Sequence, residues 1–370
     1  MRMETSGPVI GRARRTARLA GVLLALSVVA PAVDGAPAAG KGADYAIVER
    51  WPLGGTGGWD YLTIDAPRHR LFVTRGDHVE VVDLGSGKVV GQVPKTAGVH
   101  GVALAPALGR GYTSNGRANT ITEFDYDTLA VLREVPVPGV NPDALLYEPV
   151  SGRLLVFNGR SHDAIVFDAR TLAVVAKLPL PDKPEFAATD GRGRVYVNIE
   201  SEPGQLVSID AAQPAVLATW PLDGCASPSG LAIDRAHARL FSVCDAGVMA
   251  VTDASSGRAV ARVAIGEGPD AVEFDAARGL VFSSNGEGTL TIVRAGPHDA
   301  YRVAATLKTQ RGARTMALDA TTGRVYLATA DFGPPPAATP EQPKPRPAIL
   351  PDTFRVLVVA PGRAPAAAQK

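Results

Sequence analysis

A unit of just over forty residues recurs seven times in this chain, and nothing else in the sequence restricts its fold as much. Each unit has a polar residue, a short apolar strand, an Asp-like turn, a basic residue, a second strand, a turn, and a third strand that often closes on Asp. The first strands end at Asp65, Ala105, Glu148, Asp190, Asp234, Asp275 and Asp319, with spacings of 40, 43, 42, 44, 41 and 44 residues. That period suits one four-stranded blade, and such units are stable only when they stack and close. An open β-solenoid is the alternative. The chain ends favour closure: Tyr45–Leu53 (YAIVERWPL) resembles the outer strand of other units, such as Lys88–Pro94 (KVVGQVP), while the last unit stops after Phe354–Val359. The expected fold class is therefore all-β: a seven-bladed β-propeller of four-stranded blades, its last blade closed by the N-terminal strand, with no free sheet edge.

The strand-and-turn pieces Gly111-Tyr112-Thr113-Ser114-Asn115-Gly116, Leu155-Val156-Phe157-Asn158-Gly159 and Val281-Phe282-Ser283-Ser284-Asn285-Gly286 carry a resemblance. They are similar to the YVTN repeat of the bacterial YncE-like propellers, over about residues 45 to 360. The resemblance implies the propeller fold. For function it implies only a range, since such propellers include binding proteins, surface proteins and enzymes. One periplasmic member binds single-stranded DNA.

The N-terminus reads as an export signal. Arg12, Arg14, Arg15 and Arg18 precede an apolar run from Leu19 to Ala30 and a small-residue stretch. A retained N-terminal anchor is the rival reading. The run is too short to span a bilayer and no other stretch is long enough, so no membrane span is expected in the mature protein. The expected organisation is a signal peptide over 1–39, a propeller over 40–362 with a Pro-rich loop at 332–352, and a flexible tail over 363–370, in a periplasmic or secreted protein. Loss of residues 1–39 removes five arginines and two acids, so the formal charge falls from +1 to −2. Nucleic-acid binding draws on phosphate neutralisation, so this balance argues against a nucleic-acid partner.

Five residues back from each first-strand end stand Asp60, His100, Asp143, Glu185, Ser229, Asp270 and Arg314. All seven are polar and six are ionisable, at the place where an inner strand enters the channel. A wet channel mouth, with Arg314 balancing Asp60 and Asp270, is one reading. A ligand site is another. Asp60, His100, Asp143 and Glu185 come from consecutive blades, and carboxylate oxygens with one imidazole suit a divalent metal cofactor. Were the site catalytic, His100 would be the base or metal ligand and Arg314 would hold an anion.

Second strands end at the same face. Arg75, Asn115, Asn158 and Asn285 lie ten residues past their anchors and form a second candidate ligand-binding tier, although Asn-Gly also serves simple turns. Cys225 and Cys244 are the only cysteines and fall at one end of blade 5. A disulfide there would pin the entry loop; two free thiols are the alternative. The Pro-rich loop at 332–352 emerges at the ring end, as a lid, a docking segment for a protein partner, or a disordered excursion. The leading functional expectation is binding of a small or extended ligand at the mouth. A metal-dependent lyase or hydrolase and a protein-interaction scaffold are the alternatives.

Overall fold

The computed structural model describes residues 44–339, 345 and 347–362. The export-signal reading of 1–39 and the tail reading of 363–370 lie outside the described residues.

Turn chemistry sets the strand boundaries. Asp83, Asp125, Asp168, Asp210 and Asp253 each end a third strand, and the Oδ1 of each accepts the backbone N–H three residues on, at 2.8–3.1 Å. These carboxylates satisfy turn amides that would otherwise lack a partner. The recurrent Asp of the sequence is therefore a turn residue.

Between the turns lie seven antiparallel four-stranded sheets. Blade 1 holds Leu62–Asp65, Arg70–Thr74, Val79–Asp83 and Val89–Val93. Blades 2 to 6 open with inner strands Val99–Ala105, Pro142–Glu148, Lys183–Thr189, Pro228–Asp234 and Pro269–Asp275. Blade 7 is composite: Thr315–Asp319, Arg324–Thr329 and Arg355–Pro361 are completed by Tyr45–Pro52, which pairs antiparallel with Arg355–Pro361. The inner strand of each blade touches that of the next, and the last touches the first, which closes the ring.

Each blade is covered on both faces by its neighbours, so its middle strands read as continuous apolar runs. Leu154, Leu155, Val156 and Phe157 are all fully buried, the odd members packing against blade 4 and the even ones against blade 2. Each such side chain contributes about 1.5–3 kcal/mol by leaving water. Outer strands keep one wet face, where Val90 stays exposed.

The closing joint has its own lock. Trp51, on the N-terminal strand, lies over Gly87 of blade 1, where an added Cβ would come within 2.4 Å of the indole. Trp220 does the same over Gly257 at the joint between blades 4 and 5. Both glycines hold positive φ, so the turn and the close ring contact each require the missing side chain.

A disulfide links Cys225 to Cys244, with Cα atoms 5.3 Å apart. Cys244 pairs with Pro228 across the first two strands of blade 5, so the bond ties the entry loop to the sheet it feeds. No helix among the described residues is long and apolar enough to cross a membrane.

Candidate ligand site at the channel mouth

The ring residues face the mouth for a backbone reason. In blades 2 to 6 the ladder between inner and second strands slips at the ring position. The slips lie between Val99 and Val102, Pro142 and Leu145, Pro184 and Ala187, Pro228 and Leu231, and Pro269 and Ala271. His100, Asp143, Glu185, Ser229 and Asp270 sit inside those slips. A bulge turns a side chain out of the alternation that would otherwise place it between blades. In blades 1 and 7, Asp60 and Arg314 precede the strand itself.

Small polar residues of the second strands hold these backbones. The Asp60 N–H donates to Thr74 Oγ1 at 3.0 Å and the Gly101 N–H to Ser114 Oγ at 3.0 Å. Ser114 in turn donates to the carbonyl of Asp143, and Ser284 to that of Arg314. Asn198 Nδ2 donates to the Ser229 and Gly230 carbonyls, both at 3.0 Å.

All seven ring residues line one cavity of about 740 Å³. They fall into three groups. In blades 1 to 3, His100 Nδ1 is 2.6 Å from Asp60 Oδ2 and 3.6 Å from Asp143 Oδ1. In blade 4, Lys183 bridges Glu185 and Glu200, while the Tyr61 hydroxyl donates to Glu185 Oε2 at 3.3 Å. In blades 5 to 7, Asp270 receives Ser229 Oγ at 2.8 Å and Arg314 NH1 at 3.0 Å.

Burial and crowding of like charges tune these groups. Burial disfavours the His100 imidazolium, but the hydrogen bond to Asp60 and the charges of Asp143 and Glu185 outweigh it and lift its pKa to about 9. Burial raises Asp143 to about 6, against the pull of His100. Burial, then Asp143, raises Glu185 to about 8. Asp270 is raised by burial and held back by Arg314, whose own pKa Asp270 raises. Six carboxyl groups line the cavity, against three permanent cations and His100.

The second tier is placed differently. Asn115, Asn158 and Asn285 are fully buried and do not line this cavity. Asn115 Nδ2 donates to Thr122 Oγ1 at 2.8 Å, Asn158 Nδ2 to Asp163 Oδ1 at 2.7 Å and Asn285 Nδ2 to Thr291 Oγ1 at 3.0 Å, so all three close hairpins. Arg75 is buried as well: it pairs with Glu80 at 3.1 Å, lies over the Phe354 ring at 3.8 Å and donates to the Gly54 carbonyl at 3.0 Å. It braces the loop that leads to Asp60. Among the residues singled out for a metal, Asp60, Asp143 and His100 bring their ligand atoms within 4.8 Å of one another, and Glu185 is outside that group.

Sequence reasoning passed over Asp245, Arg311 and Lys183 in the wall, and over Thr74, Ser114 and Ser284 beneath it. The signal for the serines was present in Thr113-Ser114-Asn115 and Ser283-Ser284-Asn285. Strand neighbours point to opposite faces, so Ser and Asn cannot both serve the mouth.

The Pro-rich segment reaches the cavity at its base. Phe332 bridges Ile349, packs 6.2 Å from the Trp59 ring, and lines the wall with Pro347 and Ile349.

Fold and mouth together define a seven-bladed propeller with a polar, asymmetric site on its axis. No family model matches the chain, and no curated protein matches it either. Solved structures do. The chain is similar to Kuenenia stuttgartiensis hydrazine synthase at 16% identity and TM-score 0.64, over 73% of this chain and 92% of that one. It is similar to the RRP9 WD40 repeats at 11% identity and TM-score 0.70, over 86% and 98%. With U3-55K the figures are 11%, 0.68, 85% and 98%. At such identities the likeness concerns the fold.

Proposed function

We propose that the protein is an exported, YncE-like propeller that binds a small or extended zwitterionic ligand at the channel mouth. The observation that carries this reading is the convergence of all seven ring residues on one cavity. Its carboxyl excess suits a positively charged group, and the Arg314 and Arg311 guanidinium groups suit an acidic one. Trp59 and Phe332 supply apolar wall beside these charges. A second groove of about 520 Å³ shares Trp59, Asp60 and His100 with the cavity and carries Arg117 and Arg160, which gives an extended ligand room to continue outward.

Trp59 in the wall makes the test direct. Titration of the full chain with free amino acids and short peptides should change its fluorescence, and R314A should weaken the response about tenfold or more. Zwitterions that leave the emission unchanged, or a response indifferent to R314A, overturn the reading. Export is tested separately, by mass spectrometry of the mature N-terminus.

A further inference from the structure

The two carboxylates of blades 1 and 3 converge on one imidazole from blade 2. Asp60 and Asp143 are served by no lysine or arginine at ion-pair distance among the described residues: Lys183 is taken by Glu185 and Glu200, and Arg314 by Asp270. The donors are also held from behind. The Asp60 backbone is tied to Thr74 and that of Asp143 to Ser114, so two ligands stand on fixed strand starts. Gly116 leaves the space His100 occupies: a Cβ there would lie 2.6 Å from Nε2 and 2.8 Å from Asn141 Oδ1. The ring is thus seated with Nδ1 toward the two carboxylates and Nε2 against Gly116.

We infer that Asp60, His100 and Asp143 form a binding site for a first-row divalent transition-metal ion. Two carboxylate oxygens and one imidazole nitrogen within 4.8 Å of one another can share a single ion. The nitrogen donor and the short donor count favour Zn²⁺, Mn²⁺ or Co²⁺ over Ca²⁺ and Mg²⁺, which require more oxygens or more retained water. Three protein ligands leave coordination positions vacant, and the cavity provides space for a ligand atom to fill them. The inference deepens the proposed mouth site without depending on its ligand, because Ser229, Asp270 and Arg314 take no part in holding the ion.

The test uses the full chain stripped with a chelator. Calorimetric titration with ZnCl₂ or MnCl₂ should give one ion per chain, bound at least about tenfold more tightly than Mg²⁺ or Ca²⁺. H100A and D143N should each weaken binding by more than about 100-fold. H237A removes an imidazole that sits on Asp234 at the opposite end of a blade, and it should bind as the parent does. Cobalt substitution needs no variant: one equivalent of Co²⁺ should give visible bands of mixed nitrogen and oxygen ligation. No saturable one-to-one binding, or loss in H237A with retention in H100A, overturns the inference. Loss of the ion with zwitterion binding intact sinks the metal site alone; the reverse outcome sinks the ligand reading alone.

Discussion

The mouth has two unlike sides. On the side of blades 5 to 7, Asp270 is met by an arginine and a serine, and the entry loop before Ser229 is tied down by the disulfide. Its charge is balanced by a group that does not titrate in any ordinary range. On the side of blades 1 to 3, two carboxylates share one histidine and no covalent link holds them. The difference lies in how the charge is closed. One side is complete within the chain, whereas the other balances its acids with an imidazole, a side chain able to ligate a metal ion.

The first way to break the comparison is to unpin the complete side. Replacing Cys225 and Cys244 together by serine should cost about 3 kcal/mol in urea unfolding, chiefly through the freed unfolded chain. Metal binding at Asp60, His100 and Asp143 should not change, because that side is held by strand starts and hydroxyls. Coupled loss of both would mean that the two sides are one structural unit.

Next is the ion pair. R314A strips the cation from a carboxylate whose side chain is 14% exposed, while the arginine itself is 42% exposed. With that exposure discounted, the cost should be about 2 kcal/mol. Adding D270N should recover at least half of it, since the penalty comes from the carboxylate left alone. Chemical denaturation of the two single variants and the double variant measures this coupling, and additive losses would refute it.

These two sides were unequally legible in the sequence. The ring was readable because every first-strand end sits at the same distance from an inner-strand entry, so counting back from Asp65, Ala105 or Asp275 lands on Asp60, His100 or Asp270. The seven blades followed from the same periodicity, and closure by the N-terminal strand from the likeness of Tyr45–Leu53 to the outer strands, as its pairing over Tyr45–Pro52 bears out. Pairing within the ring was not readable. Whether Glu185 turns to His100 or to Lys183 depends on side-chain reach inside a bulge, which spacing does not encode. The Asn residues misled for a related reason: a count of ten lands on Asn115, whose side chain points into the hairpin, while the mouth is served by its neighbour Ser114. The disulfide was legible because strand order put both cysteines at one end of blade 5.

The smallest effect is expected deeper on the complete side. Glu273 lies three residues beyond Asp270 on the same inner strand, and no hydrogen bond or ion pair reaches its carboxyl among the described residues. Its neighbours Val272 and Phe274 pack between blades 5 and 6. Burial alone raises its pKa from 4.5 to about 8. The folded chain therefore holds a proton there that the unfolded chain releases above about pH 4.5. Stability from this residue is complete below that value and declines as pH rises to about 8. E273Q keeps the shape and removes the titration. Followed by circular dichroism melts, it should match the parent below about pH 4.5 and exceed it by about 1 kcal/mol at pH 8, the figure being reduced for the water that still touches the side chain. If the parent's decline persists unchanged in E273Q, the slope belongs to the mouth, and the carboxylates shared by His100 become its next source to test.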